Sequence, residues 1–276
     1  MSKTSKAILI AGVALFGICS SAHAQTGTLQ DLSGKIAPLP KIIIYPAREI
    51  ITLDGGKPKA GAVAVVRDRI LAVGELEDLK KAAGDQPYTV DSTFANNVIV
   101  PGFIAQHDHP VLTALTMASE ILSIEDWVLP TGTVPRVQDK QDFVTRLSAA
   151  EKRMTKPNEP LVTWGYHASF FGKLTRADLD RISLTRPILV WGRSCHELFL
   201  NSEALKQAGV TKETVAAWAA SPREQSNFEE GHFWEQGFFS VLEKVATMLA
   251  TPERLNSGLL LARDYMHAKG ITYAEP

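Results

Sequence analysis

Two histidines separated by a single residue are the clearest chemical feature of the sequence. His107 and His109 end the stretch that begins at Val98, and alternate side chains of an extended strand lie on the same face. Both imidazoles therefore point one way while Asp108 points the other, and two imidazoles on one face can bind one divalent ion, at nitrogen–metal distances of ~2.0–2.1 Å for zinc. The spacing predicts a metal site at the end of a strand, with a pair of partly exposed polar residues as the alternative.

Aromatic and reactive side chains also follow two later apolar runs. Trp164 and His167 end the first run, where they either line a substrate pocket or pack in the core. Cys195 stands beside His196 after the second run, but a thiolate nucleophile needs a positioned base and a lowered pKa. Because sequence neighbours on a strand point to opposite faces, we do not expect these two residues to form a nucleophile–base pair.

The elements that must hold these side chains alternate between strand and helix after Pro101. Consecutive apolar residues at Ile188–Trp191 are typical of a strand buried on both faces, and Asn201 stands where the helix after it needs an N-cap. Repeated alternation favours a parallel sheet or barrel. We expect barrel strands near Val98, Leu161, Ile188 and Ile271, and helices at Val111–Leu122, Gln141–Met154, Arg176–Ile182, Ser202–Ala208, Phe239–Ala250 and Pro252–Ala268.

A smaller β-rich module precedes this region. Gly61–Val66 and Ile70–Gly74 flank the charged turn at Arg67 and Asp68, a pattern that predicts a β-hairpin, and a short helix follows at Leu76–Ala83. We therefore expect a small domain over residues 41–97 and a strand–helix region over residues 98–276.

Composition limits the class of protein. The chain has 276 residues, of which 45% are hydrophobic and 21% charged, so a packed core is possible and a disordered, collagenous or coiled-coil chain is excluded. With 29 basic and 30 acidic side chains, the net charge of −1 gives no electrostatic reason to expect nucleic acid or an anionic membrane as partner. An ordinary globular enzyme or binding protein remains.

The first 24 residues have the pattern of a secretory signal peptide. Lys3 and Lys6 precede the apolar run Ala7–Ile18, which is shorter than the ~20 residues of a membrane span, and Ala22–Ala24 forms a small-x-small cleavage site. Cleavage after Ala24 predicts export to the periplasm or medium, with residues 25–40 as a linker. It would leave 27 basic and 30 acidic side chains and Cys195 as the one cysteine, so we expect no internal disulfide.

Several motifs carry a resemblance to a known family. Residues 101–109, Pro-Gly-Phe-Ile-Ala-Gln-His-Asp-His, resemble the Pro-Gly-Phe-Ile-Asp-x-His-x-His metal-binding signature of the amidohydrolase superfamily. His196, residues 201–205 (Asn-Ser-Glu-Ala-Leu) and residues 208–211 (Ala-Gly-Val-Thr) resemble the His…Asn-Ser-x-Ala-Leu…Ala-Gly-Ile-Thr pattern of its YtcJ-like branch (amidohydrolase 3), which contains N-substituted formamide deformylase. Residues 61–74 resemble the family's N-terminal sandwich domain.

This resemblance implies both a fold and a reaction. The fold is α/β, with a partial (β/α)8 TIM-type barrel of about four strands preceded by a small β-sandwich-like domain. The reaction is hydrolysis of a C–N bond in a non-peptide amide or formamide-like small molecule by metal-activated water. The implied cofactor is one or two divalent ions, with zinc as the first expectation.

The resemblance also assigns roles to individual residues. His107 and His109 match the family's metal ligands on the first strand. Glu235 ends a Gly-x-x-x-Glu element and is the first choice for a carboxylate that bridges two metals, with Glu275 at the end of another strand as its rival. His196 faces the substrate or its developing oxyanion, or else caps the next helix.

The sequence departs from the family pattern in two ways. Ala105 stands where the family usually has Asp, which removes a carboxylate that would support the first histidine. A complete barrel needs ~250 residues, and the family's later histidines and late aspartate have no counterpart, since His232 and His267 are the remaining histidines of the mature chain. We therefore expect the front half of a longer barrel. The alternative to the hydrolase is a non-catalytic half-barrel with an incomplete metal site, whose exposed edges favour a homo-oligomer.

Overall fold

The computed structural model describes residues 41–275, so the expected signal peptide and linker lie outside the described residues. The chain divides into two compact units between Pro101 and Gly102, and each is described by itself. Within residues 41–275, no helix is both long enough and apolar enough to cross a membrane.

The first unit is one mixed sheet with a helix packed against it. β1 pairs antiparallel with β2, β2 pairs antiparallel with β3 to form the predicted hairpin, and β4 and β5 both run parallel to β1. Leu79 of the helix packs on Ile42 and Ile44 of β1, which are almost completely buried. The elements are β1 (Ile42–Ile51), β2 (Lys59–Val66), β3 (Arg69–Gly74), α1 (Leu76–Ala83), β4 (Tyr88–Val90), a 3-10 turn (Ser92–Phe94) and β5 (Val98–Ile99).

The second unit holds all the candidate site residues. Its elements are β6 (Phe103–Ala105), α2 (Pro110–Met117), β7 (Glu120–Ile121), β8 (Trp127–Leu129), β9 (Gly132–Val134), α3 (Lys140–Arg153), β10 (Leu161–Tyr166), α4 (Ala168–Phe171), α5 (Arg176–Asp180), β11 (Ile188–Gly192), β12 (Glu197–Leu200), α6 (Ser202–Gln207), α7 (Lys212–Ala216), α8 (Ala220–Glu224), β13 (Ser226–Asn227), β14 (His232–Trp234), α9 (Glu235–Leu249), α10 (Pro252–Ala268) and β15 (Ile271–Ala274). Together with the first unit they make a mixed α/β chain.

A six-stranded sheet forms the main core of this unit, in the order β13-β14-β12-β11-β10-β7. β7, β10 and β11 are parallel, whereas β12, β14 and β13 continue the sheet antiparallel. Leu189 and Trp191 of β11 belong to the core on the α9 side, and Ile188 and Val190 to the core on the α3 side. The prediction that Ile188–Trp191 is buried on both faces is therefore confirmed.

The four expected barrel strands do not lie in one sheet, which corrects the sequence interpretation. β10 and β11 belong to the six-stranded sheet, whereas β6 and β15 form a separate parallel pair. The strand expected near Val98 is β5 of the first unit, because Pro101 lacks an N–H for strand pairing and the chain resumes as a strand only at Phe103. The chain after β11 returns antiparallel as β12 through a short turn, where sequence reading had expected no strand.

Two helices hold the β6–β15 pair in place. α10 crosses α2 so closely that a Cβ at Gly258 would collide with the carbonyl oxygen of Ala114. The Arg254 guanidinium donates a hydrogen bond of 3.1 Å from Nη2 to the carbonyl oxygen of Ala118, which ends α2. α2 is shorter than predicted, since the chain turns at Ala118 and enters β7. This crossing fixes the segment between β6 and α2, which carries His107 and His109.

Candidate functional site

The two histidines lie just beyond β6 with their rings in contact. The ring centroids of His107 and His109 are 4.6 Å apart and the ring planes meet at 83°, and both side chains are exposed. β6 ends at Ala105, so the pair sits in the bend between β6 and α2 and not in the strand itself. Asp108 is directed elsewhere, because its Oδ1 accepts a hydrogen bond of 3.1 Å from the Thr113 hydroxyl.

Glu275 approaches the same segment through its backbone. Its N–H donates to the carbonyl oxygen of Ala105 (2.9 Å) and its carbonyl oxygen accepts from the N–H of Asp108 (2.8 Å). Its carboxylate accepts a hydrogen bond from the Tyr273 hydroxyl at 2.9 Å. The parallel pairing of β6 and β15 therefore places Glu275 beside the histidine segment, a position that no local sequence pattern specifies.

His196 and Glu235 form a hydrogen-bonded pair. His196 Nδ1 and Glu235 Oε2 are 3.1 Å apart, with the side chains 56% and 53% exposed, and the Glu235 N–H donates to the His196 carbonyl oxygen at 2.9 Å. Glu235 begins α9 with a positive φ of 46°. The alternative role of His196 as a helix cap is wrong: it precedes β12, and the next helix is capped by Asn201, whose Oδ1 accepts from the Ala204 N–H.

A second histidine–glutamate pair lies next to the first and was missed in the sequence. His232 Nε2 and Glu197 Oε2 are 2.9 Å apart, and the His232 ring stacks on Phe199 at 4.1 Å. His232 lies in β14, which pairs with β12. The cross-strand register brings the pair together, and a register cannot be derived when one of the two strands is not recognised.

His109, Cys195 and His196 line one cavity of about 580 Å³ in the second unit. Its walls are mainly apolar side chains of α2 and α9, with Trp191 from the end of β11. The cavity therefore joins one of the two histidines after β6 to the turn after β11, which are far apart in sequence.

The aromatic residues at the end of β10 differ in burial and in the groups that they contact. Trp164 is buried, and its indole N–H donates to Cys195 Sγ at 3.3 Å, so it packs beneath the cavity-lining thiol. Tyr166 is also buried; burial raises the pKa of its phenol, and its hydroxyl donates to the Gly172 carbonyl oxygen. His167 precedes α4 and makes an edge-to-face contact with Phe170. Core packing thus accounts for Trp164 and Tyr166.

Cys195 and His196 sit in a turn and not in a strand. Cys195 has a positive φ of 64° and is half-buried. The turn is tied down by Arg193, whose guanidinium makes bonds of 2.7–3.1 Å to both carboxylate oxygens of Glu125, and the bond from Arg193 lowers the pKa of Glu125. Because the backbone turns here, the two neighbours do not face opposite sides as they would on a strand, and both side chains line the cavity.

Within residues 41–275, no three or more His, Cys, Asp or Glu side chains are grouped so that they could hold a metal ion together. His107 and His109 supply two adjacent imidazoles, while His196 and Glu235 are bonded to each other. The described residues therefore offer pairs of potential ligands.

Comparisons with known proteins identify relatives over part of the chain. No protein-family model matches. Over 170 residues, 60% of this chain, the sequence is 28% identical to an N-substituted formamide deformylase of Arthrobacter pascens, and over 156 residues, 55% of this chain, it is 27% identical to the putative amidohydrolase YtcJ of Bacillus subtilis. These matches cover 29% and 27% of the relatives, so the chain spans less than a third of the length of these curated relatives.

A solved structure shows the same kind of fold. An uncharacterized metal-dependent hydrolase from Pyrococcus horikoshii superposes with a TM-score of 0.60 at 13% identity, covering 84% of this chain and 42% of that one. At this identity the likeness concerns the fold alone. Over the part of the chain that they match, the curated relatives support an amidohydrolase-type family for this protein.

Proposed function

We propose that this chain belongs to a metal-dependent hydrolase that cleaves the C–N bond of a non-peptide amide or formamide-like small molecule. The observation that carries the proposal is that His109 and His196, 87 positions apart in the sequence, line one cavity. The names of the curated relatives supply the reaction class. For the fold we propose that β6 and β15 are strands of a TIM-type barrel and that the first unit is part of a sandwich domain.

The two imidazoles after β6 suit a divalent cation as two nitrogen ligands. Their ring centroids are 4.6 Å apart and both rings are open to solvent, so an ion can reach them. His107 and His109 would hold the ion, zinc being the first expectation, and Glu235 and Glu275 remain the carboxylate candidates. Such an ion lowers the pKa of a bound water to ~7 and polarises a carbonyl oxygen.

His196 is the group we assign to the carbonyl oxygen of the substrate. With Nδ1 bonded to Glu235, the other ring nitrogen remains available. In the imidazolium form the Nδ1–H donates to the carboxylate and the Nε2–H is free to donate to an oxygen that gains negative charge. Glu235 therefore orients the ring.

The test is metal content and turnover of the full chain. We expect near-stoichiometric zinc and hydrolysis of an N-substituted formamide, both lost in His107→Ala and both retained in His267→Ala, a matched control in an exposed position of α10. His196→Gln should keep the zinc and reduce kcat about 10²–10³-fold, the usual cost of one oxyanion donor. Weak zinc uptake, with no turnover that depends on His107, would overturn the proposal and favour the non-catalytic half-barrel.

For residues 1–24 we propose export followed by cleavage after Ala24, supported by the Lys-flanked apolar run and the small-x-small site. Expression of the full chain in a Gram-negative host, followed by N-terminal sequencing of the periplasmic fraction, should give a chain that starts at Gln25. An uncleaved chain in the cytoplasm would contradict the export proposal without affecting the hydrolase proposal.

A further inference from the structure

The cavity that joins His109 and His196 has strongly apolar walls. Leu112 and Leu115 on α2 face it from one side, and Phe238 and Leu242 on α9 face it from another. The spacings of three and four residues place each pair on one face of its helix. Among the residues that the structure describes around the cavity, none of the lining side chains is Asp, Glu, Lys or Arg.

The polar groups of the cavity are few. His109 immediately precedes α2, and Cys195 and His196 belong to the turn after β11. A volume of about 580 Å³ is within the usual range of small-molecule cavities, ~300–1,000 Å³, and an apolar wall with a few polar groups is the common pattern of such sites. The cavity is open to solvent at its exposed lining residues Val111 and Phe239, and it can both pack against an apolar group and hydrogen-bond a polar one.

We propose that this cavity selects neutral amides that carry an aryl or branched-alkyl substituent, with the substituent against α2 and α9 and the amide carbonyl near His109 and His196. The reaction rests on the proposed function, whereas the binding preference rests on the cavity. A charged substituent is rejected, because against the side chains of α2 and α9 it would lose water without gaining a partner of opposite charge. Peptides are rejected since each added residue brings backbone N–H and C=O groups that the apolar walls cannot satisfy.

The rate at which the Cys195 thiol is chemically labelled can show whether a ligand occupies the cavity, and this measurement requires no turnover. Its thiol is half-buried and lines the cavity, and Cys19→Ser removes the other cysteine of the chain. In that variant we expect N-benzylacetamide to slow labelling of Cys195 by N-ethylmaleimide severalfold at saturation. The 4-carboxybenzyl analogue, which adds a negatively charged carboxylate at the para position, should leave the labelling rate unchanged.

Two variants test whether the protection arises from the cavity. Leu242→Trp fills the cavity and should abolish the protection, while Leu184→Trp, at a position 68% exposed, is the matched control and should keep it. Val111→Asp also places a charge on the cavity wall; Val111 is exposed at the start of α2, where an acidic residue favours the helix, so folding should be unaffected and protection lost.

Equal protection by the neutral and charged amides, or none by either, would overturn this inference. Labelling requires neither metal nor catalysis, so an inactive chain that still shows selective protection would refute the hydrolase proposal alone. Turnover without selective protection would refute the cavity proposal alone.

Discussion

The side chains of the six-stranded sheet and those of the β6–β15 pair differ greatly in solvent exposure. Every residue of β10 and β11 is buried, whereas Phe103 and Ile104 of β6 are 57% and 64% exposed. The candidate site draws on both regions, because His196 follows β11 and His107 follows β6. One part of the site is thus held by a closed core, and the other by a strand pair that relies on the α2–α10 crossing for its support.

The largest loss of stability should come from a substitution in the closed core, at Arg186. Its guanidinium is buried and bonds to Glu151 and to the carbonyl oxygens of Met154, Lys156 and Glu159. Arg186→Met leaves those buried oxygens unpaired and should lower the free energy of unfolding by about 3–5 kcal/mol. Urea denaturation measures the change.

The matched control for that substitution is an arginine in an exposed ion pair. Arg181 bonds to Asp178 at 2.7 Å, but its side chain is 74% exposed. Arg181→Met should cost at most about 1 kcal/mol, because solvent screens such pairs. Equal losses in the free energy of unfolding for the two variants would show that the buried hydrogen bonds of Arg186 do not stabilise this core.

The second test concerns the support of the open strand pair. Gly258→Ala places a methyl group against the Ala114 carbonyl oxygen, so α10 must move away from α2. We expect a loss of about 1–3 kcal/mol, typical of overpacking, together with weaker zinc binding at the metal site that we propose at His107 and His109. Ser257→Ala, one position along the same helix and exposed, is the control that should leave both measurements unchanged. Normal zinc binding in a destabilised Gly258→Ala protein would mean that the crossing does not position the histidines.

The third test uses acid to weaken the sheet region. Burial alone would raise the pKa of Asp178, but bonds from Lys140, Arg181 and Thr175 outweigh it and hold the pKa at about 2. A carboxyl whose folded pKa is depressed contributes stability above its unfolded pKa, and here that contribution of about 2 kcal/mol is lost as the pH falls from about 4 to 2. Asp178→Asn should lower the free energy of unfolding at neutral pH and reduce its further decrease between about pH 4 and pH 2. Urea denaturation at several pH values measures both effects. If Asp178→Asn loses stability between about pH 4 and pH 2 as the unchanged protein does, then other carboxylates cause that loss.

The same two regions show what sequence reasoning can and cannot reach. The helix at Pro252–Ala268 was predicted with the observed bounds, and a strand was predicted near Ile271, where β15 begins, because periodicity, an N1 proline and a terminal glycine are local signals. Sheet membership is not local: Leu161 and Ile188 begin apolar runs like that of Ile271, yet they pair in a different sheet. Partners within a sheet depend on long-range packing that a single sequence does not encode in any one segment.

Candidate site residues divide in the same way. His107 and His109 are close because they are two positions apart in the chain, although they lie in a bend and not on the strand that the spacing predicted. The bond between His196 and Glu235 joins residues 39 positions apart. The Glu197–His232 bond was missed because neither strand β12 nor strand β14 was recognised. The run of three apolar residues at Leu198–Leu200 is too short to reveal the strand by itself.

The smallest expected change in stability, at an exposed position of β6, compares the two regions most directly. Phe103→Thr keeps a β-forming residue at an exposed position of β6, so the free energy of unfolding should change by no more than about 0.5 kcal/mol. Val190→Thr, a nearly isosteric change at a fully buried position of β11, should cost about 1–3 kcal/mol, because the added hydroxyl loses its hydrogen bonds to water. A loss well above 1 kcal/mol for Phe103→Thr would contradict the comparison and mean that this face is covered in solution. If the covering partner is a second copy of the chain, that loss should diminish on dilution to a monomer, which sedimentation velocity at several concentrations would detect.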